Sequence, residues 1–592
     1  MADESMELGT ELAPEWQALL ERGRKVGADY QERLKHEEVF STLNPALMGQ
    51  LFVEVAEQLL AKPETLQQAQ ASLVEDYGRL WQATAAALRG EAAAPVIEPQ
   101  PGDRRFKDED WTANPTFSAI KQFYLLAARW LESMVADAEG LDPKTRQKAL
   151  FYMRQFLSAV APTNFLATNP KVIRATAASQ GENLRRGFTH LLDDMERSRG
   201  PLQVALTDAQ AFRLGENIAT TPGKVVYQNG LMQLIQYTPT TDKAYRRPLM
   251  IVPPWINKYY VLDMQPKNSF IRWAVGEGHT VFVISWINPE AEHSDKNFDD
   301  YLLDGPMAAL DAIERATGER EVNALGYCIG GTLLACTLAH MAARDDRRVA
   351  SATFFTTMLD FAEPGELGVF IDEAQIAMVE KHMEKKGFLD GSQMAQVFSM
   401  LRENDLIWSA FINNYLLGKD PPAFDLLYWN SDSTRMPAMM HGFYLREMYL
   451  NNRLIEPDAL TLAGTPIDLH RIETPAYFLS AREDHIAPWR STFAATRLFS
   501  GSVRFVLAAS GHIAGVINPP VAGKYNYWTS NRKGRTPEAW LKSAERKEGS
   551  WWPDWARWVA RKGGGKVAAR EPGAGALPAL EDAPGSYVKM RL

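Results

Sequence analysis

A cysteine flanked by glycines, set between a strand and a helix, constrains this chain more than any other feature. In Gly326-Tyr327-Cys328-Ile329-Gly330-Gly331 the turn follows the apolar run EVNAL and leads into TLLACTLAHMAA, which has a helical pattern. A chain turns that sharply only where side chains are missing, and the residue at the apex then stands exposed at the edge of the sheet. The pattern is G-x-S-x-G with cysteine in place of serine. Free N–H groups and the positive dipole end at the start of the helix favour a thiolate and an oxyanion. Cys328 is therefore a candidate nucleophile and the Ile329 N–H a candidate oxyanion donor. The bland alternative is a buried structural cysteine in a glycine-rich turn.

The surrounding chain has the organisation such a turn requires. Past about Thr220, KVVYQNGLMQLIQYTP predicts a hairpin turning at Asn229-Gly230. Six compact apolar runs follow, RPLMIVPP, HTVFVISW, EVNALGYC, VASATFFTTM, PAYFLSA and VRFVLAA, with helical patterns between them. Strands alternating with helices predict a doubly wound, mostly parallel sheet. Roughly 115 residues separate the fourth run from the fifth, far beyond an ordinary connection. That stretch, about 361–472, carries helical patterns of its own and is expected to form an inserted cap.

A nucleophile needs a base and an acid, which in α/β-hydrolases follow it in the order acid, then histidine. Asp484 lies just beyond PAYFLSA and His512 just beyond VRFVLAA, 28 residues apart, so both belong at the same sheet edge as Cys328. Glu483 and His485 flank the acid, and only one of the three can face the site. Cys336, two turns into the helix, reads as core. A second oxyanion donor is expected in the loop after RPLMIVPP. Pro253 and Pro254 have no N–H, which leaves Trp255 or a later residue, or the Asn257 side chain.

These readings give an α/β fold: an α/β-hydrolase core with an inserted cap over 216–562, preceded by a mainly helical N-terminal domain over 1–215. Helical spacing is clear in Phe40, Leu43, Leu47, Leu51, Val55 and Leu59, while the Pro- and Ala-rich 91–105 reads as a linker. In DPKTRQKALFYMRQFLSAVA, Asp142 and Pro143 stand where a cap and the first helical residue belong. The Gly-, Ala- and Pro-rich 563–592 is expected to be a flexible tail.

A formal net charge of −9 disfavours a general attraction to nucleic acid or anionic lipid. The two cysteines are too far apart along a helix for a disulfide, which suits a reducing compartment. The acidic N-terminus lacks a secretory pattern, and no stretch approaches the ~18 apolar residues of a membrane span. A cytoplasmic protein is expected, with sixteen tryptophans leaving room for attachment to an apolar surface.

GYCIGGT, PPWINKYYVLDMQP, SAREDHIAPW, ASGHIAGVINPP and GSWWPDW together resemble the polyhydroxyalkanoate synthases, in particular the single-subunit type that works on short-chain monomers. The similarity runs from FKDEDWTANP to about Trp558 and touches the terminal YVK. The resemblance implies polymerisation of (R)-3-hydroxyacyl-CoA into polyester with release of coenzyme A, by a homodimer on the surface of cytoplasmic granules. No metal or cofactor is implied, coenzyme A being a leaving product. Matching positions assign the nucleophile to Cys328, the base to His512 and the acid to Asp484, with a second role for the acid in activating the 3-hydroxyl. Arg402 becomes a candidate for contacting CoA phosphates, although SMLREND places Glu403 beside it where relatives have proline.

The chemistry suits a thiol, because transfer from CoA to Cys328 exchanges one thioester for another and keeps the acyl group activated. Water must then lose to a hydroxyl. The aromatic stretches FDLLYWN and GFYLREMYL would line a dry channel or serve as ordinary cap core. Two rival readings are a Cys-dependent hydrolase and a non-catalytic granule scaffold.

Overall fold

Helical periodicity in the first third of the chain becomes a series of helices, most of which begin on proline. The computed structural model describes residues 14–36, 45–198, 200–532 and 534–591. Phe40 and Leu43 lie outside the described residues. Helices run over Pro14–His36, Pro45–Leu60, Pro63–Leu88, Pro115–Ala136, Pro143–Ala159, Pro170–Ala178 and Glu182–Arg197. Proline suits the first helical position because it lacks a donor that would have no partner there. Asp142 accepts hydrogen bonds from the Lys144 and Thr145 N–H groups at 2.9 and 3.1 Å, capping the helix that Pro143 starts. Val55, Val135, Leu141 and Ala149 form one small core among these helices, and Leu19, Val26 and Leu192 another. Residues 91–105 contain no helix or strand.

The chain divides into two units, and the division corrects two expected boundaries. The first unit holds the described residues up to Asp208 together with Val397–Pro422; the second holds Ala209–Gln396 and Ala423–Leu592. The stretch 361–472 is thus not a single cap. Its middle part is fastened to the N-terminal helices: Ser158 Oγ donates to Glu403 Oε1 at 2.9 Å, Asn183 Nδ2 to the Leu416 carbonyl at 2.7 Å and Asn414 Nδ2 to the Ala205 carbonyl at 2.6 Å. A Cβ on Gly187 would collide with the Tyr415 carbonyl, so this glycine admits the backbone approach.

In the second unit an eleven-stranded sheet forms from β1 (Gly223–Gln228), β2 (Met232–Tyr237), β3 (Leu249–Val252), β4 (Val281–Trp286), β5 (Val322–Tyr327), β6 (Val349–Phe355), β7 (Ala476–Ala481), β8 (Val503–Ala508), β9 (Asn526–Thr529), β10 (Glu545–Glu548) and β11 (Glu581–Asp582). Its order is β10-β9-β8-β7-β6-β5-β3-β4-β2-β1-β11. The six apolar runs are β3 to β8, and they pair in parallel. β1 and β2 are the antiparallel hairpin at Asn229-Gly230. Because β4 lies on one side of β3 and β5 on the other, the loops after β3 and β5 part company at a topological switch. In open α/β sheets a crevice opens at that point.

Of the segment 563–592, expected to be a flexible tail, the described residues, to Arg591, are instead attached along the sheet. Lys566–Ala568 pairs with Lys243–Tyr245, β11 pairs with β1, and the Tyr587 hydroxyl donates to the Asn229 carbonyl at 2.7 Å. Leu577 and Val588 are buried. Gly, Ala and Pro limit what a segment can bury by itself, but adding to an existing edge needs little more than main-chain N–H and C=O groups.

Candidate active site

The elbow after β5 is built from contacts that exclude side chains. Cys328 has φ 52° and ψ −126°, a conformation that non-glycine residues seldom hold. A Cβ on Gly331 would overlap the Thr357 hydroxyl, one on Gly326 would overlap Gly331, and one on Gly330 would lie 2.5 Å from the Pro253 carbonyl oxygen. The Cys328 N–H donates to the Phe355 carbonyl at 2.9 Å, tying the apex to β6. The helix Ile329–Ala343 starts one residue later, with Cys328 as its N-cap. The Gly331 N–H donates to the Cys328 carbonyl at 2.9 Å, while the Ile329 N–H, at the positive end of the helix, has no acceptor within it.

Asp484 and His512 sit beyond the ends of β7 and β8, and the structure brings them to Cys328. His512 Nδ1 lies 2.7 Å from Asp484 Oδ2, while Asp484 Oδ1 accepts from the Ile486 and Ala487 N–H groups at 2.8 and 2.9 Å. The Asp484 side chain is wholly buried and that of His512 is 8% exposed. With Nδ1–H committed to the carboxylate, Nε2 is the nitrogen left to face sulfur. Burial opposes the imidazolium, yet the charge of Asp484, then that of the Cys328 sulfur and hydrogen bonds to both, push the His512 pKa up to about 10. Among Glu483, Asp484 and His485, it is Asp484 that meets the histidine.

The remaining candidates fall in different places. The Asn257 main chain bridges to Ser433, and the loop that carries it runs against the elbow through Pro253. Arg402 belongs to the first unit, where its guanidinium donates to Asp405 Oδ2 at 2.5 Å. The Glu403 carboxylate is turned to Ser158 and Asn404. Cys336 is completely buried, and burial pushes its thiol up to about 12.

Several supporting side chains carried no signal of their own in the sequence. The His512 ring stacks on Tyr327, whose hydroxyl donates to the His512 carbonyl at 3.2 Å. Two tryptophans of GSWWPDW hold the loop after His512: Trp551 Nε1 donates to the Gly515 carbonyl at 2.8 Å and Trp552 Nε1 to the Val516 carbonyl at 2.9 Å. GFYLREMYL places the buried Tyr444 and the partly buried Tyr449 near enough to feel the Cys328 charge; desolvation first, then neighbouring charges, raise both phenols. FDLLYWN serves the loop after β3 instead, Trp429 Nε1 donating to the Lys258 carbonyl at 2.7 Å. A strand-end motif shows where a functional atom stands, but not which distant aromatic braces it.

Comparison with known proteins gives two family matches. Residues 102–274 match the family described as poly-beta-hydroxybutyrate polymerase (PhaC) N-terminus, and residues 250–519 match the alpha/beta hydrolase fold. A "Poly(3-hydroxyalkanoate) polymerase" of Methylorubrum extorquens is 50% identical over 545 residues, 92% of this chain and 90% of the relative. A "Poly(3-hydroxyalkanoate) polymerase subunit PhaC" of Rhizobium meliloti is 51% identical over 538 residues, 91% of this chain and 88% of the relative. A third, the PhaC subunit of Cupriavidus necator, is 43% identical over 535 residues, 89% of each chain. Among the described residues no helix is long and apolar enough to cross a membrane.

Proposed function

The chain belongs to the poly(3-hydroxyalkanoate) polymerase family, and from that premise we propose that it polymerises (R)-3-hydroxyacyl-CoA, foremost 3-hydroxybutyryl-CoA, through a thioester on Cys328. The observation that carries this reading is the buried Asp484–His512 pair, 2.7 Å apart, set against a cysteine at a helix N-terminus. His512 favours its protonated form, so the proton of the Cys328 thiol passes to Nε2 and the sulfur attacks the thioester carbonyl. The oxyanion is received by the Ile329 N–H and by a donor in the 255–257 stretch, the Asn257 side chain among the choices. Collapse expels CoA, whose sulfur takes the proton from His512. The histidine then draws the proton from a 3-hydroxyl, which attacks the acyl-cysteine and forms the ester bond while the Cys328 sulfur leaves. Asp484 holds the ring in the required tautomer throughout, and a part for it in activating the 3-hydroxyl belongs to the same proposal.

Coenzyme A acts here as a leaving group, with no cofactor or metal in the cycle, and Arg402 is the proposed contact for its phosphates. The working form is proposed to be a homodimer at the surface of a cytoplasmic polyester granule. Supporting attachment, Val74, Trp81 and Leu88 recur every seven residues on the helix Pro63–Leu88, each more than half exposed. Such a stripe suits an apolar surface.

Supplying 3-hydroxybutyryl-CoA and following free CoA and polymer together tests the reading. Both should form, Cys328→Ala should abolish both, and Cys336→Ala should retain most of the activity. CoA with only free acid indicates a hydrolase, neither product a scaffold, and undiminished CoA release from Cys328→Ala removes the mechanism.

A further inference from the structure

Lys258, in the loop after β3, is 3% exposed at its side chain and faces Asp432, 2% exposed, at 2.7 Å. Taking two charges out of water costs several kcal/mol for each ion, and the pair repays this only with good geometry and its other valences filled. They are filled. The ammonium also donates to the Met590 carbonyl at 2.8 Å, and the other Asp432 oxygen accepts from the Tyr260 hydroxyl at 2.9 Å. Arg591 approaches the same carboxylate at 3.6 Å, its guanidinium 4.2 Å over the Tyr428 ring.

The segment that carries Asp432 also grips the main chain of the loop. Trp429 donates to the Lys258 carbonyl, the Thr434 hydroxyl to the Trp255 carbonyl, and Asn257 bridges Ser433. On its other flank the loop meets the elbow, the Pro253 carbonyl packing over Gly330. The stretch 255–258 is therefore held by residues 429–434 and by the Met590 carbonyl, with Arg591 set against Asp432.

We propose that the buried Lys258–Asp432 pair, closed by the Met590 carbonyl and Arg591, is a positioning element for acyl transfer, fixing the loop after β3 at the distance from the elbow where its donor meets the oxyanion. The inference rests on Cys328 being the acyl carrier. Lys258 and Arg591 act through the loop, not on the reacting atoms. A hydrophobic pair often matches a buried ion pair in stability, so what these charges supply is placement.

The test compares the full chain with Lys258→Met, Arg591→Ala, a chain stopped after Lys589, the combination of Lys258→Met with that truncation, and Cys328→Ala. All receive 3-hydroxybutyryl-CoA, with thermal unfolding recorded. Lys258→Met and the truncation should lower kcat by roughly 10- to 100-fold with KM within about twofold, since misplacement near 1 Å has that effect. Arg591→Ala should lower kcat by less. The combination should lose no more than the larger single loss, because both changes free the same loop. If Lys258→Met does not fold, the truncation and Arg591→Ala decide. The proposal is overturned by folded variants with unchanged kcat, by a change confined to KM, or by losses that multiply in the combination. Cys328→Ala that still releases CoA defeats the underlying mechanism; an inactive Cys328→Ala beside a fully active truncation defeats the clamp alone.

Discussion

Gly330→Ala asks whether the elbow and the loop after β3 work at contact distance. The added methyl would stand 2.5 Å from the Pro253 carbonyl oxygen and closer still to that of Val252, where ordinary contact begins at 3.4 Å. The two must part by about 0.9 Å or more. Both obstacles are backbone of β3 and its end, and β3 is paired on both sides, so the loop and the elbow share the movement. A displacement near 1 Å between oxyanion donor and nucleophile costs about 100-fold in rate, or about 2.7 kcal/mol of barrier. Turnover of 3-hydroxybutyryl-CoA, read as CoA release, should fall by that factor. Alkylation of Cys328 by iodoacetamide should change only a few fold, because thiol and histidine stay together. Gly78→Ala is the control: it lies in the helix Pro63–Leu88 with nothing within 4 Å of the new Cβ, and it should stabilise by about 1 kcal/mol without touching rate. A Gly330→Ala protein with native thermal unfolding and turnover within about threefold of the parent refutes the reasoning.

Asp484→Asn removes the charge that helps hold His512 protonated, so the imidazolium that favours the Cys328 thiolate is weakened, the pH profile of Cys328 alkylation should move to higher pH and kcat should drop about 10⁴-fold; an unmoved profile contradicts the assigned role. Against burial, Asp484 and the sulfur raise the folded-state pKa of His512 from 6.5 to about 10, so its stabilising contribution is complete below about pH 6.5 and is lost as pH climbs through 10. The difference in Tm between the parent and His512→Gln should accordingly narrow across that window, and a widening difference argues against the ion pair. Trp552→Phe keeps an aromatic ring but removes the pyrrole half of the buried indole and the donor to the Val516 carbonyl, which should cost at least about 1–3 kcal/mol in urea unfolding; no loss shows that the loop carries its own support.

The parallel centre of the fold was legible because each of its six strands is a short apolar run covered on both faces. The acid and histidine were legible for a related reason, since topology places successive strand ends on one edge. What escaped was set by partners far away in sequence. Glu545–Glu548 reads ERKE and contains no apolar residue, so nothing in its own pattern marks it as β10. Most of residues 397–422 looked helical and, as far as Leu416, they are, yet their choice of the N-terminal helices depends on Ser158, Asn183 and the gap at Gly187. Lys258 and Asp432, 174 positions apart, form a buried pair that no local spacing announces.

The two rims of the eleven-stranded sheet are finished differently. One ends in β10, where Glu545, Arg546, Lys547 and Glu548 line the border with both signs of charge and with ion pairs at 3.2 and 3.6 Å. The other would end in β1, but β11 covers its hydrogen-bonding row at Lys224 and Val225. Uncovered strand borders invite other chains to pair with them. A shortened chain lacking β11 would therefore offer a template for sheet-to-sheet association, so that cutting the tail endangers solubility as well as rate, and the two losses would be told apart by light scattering.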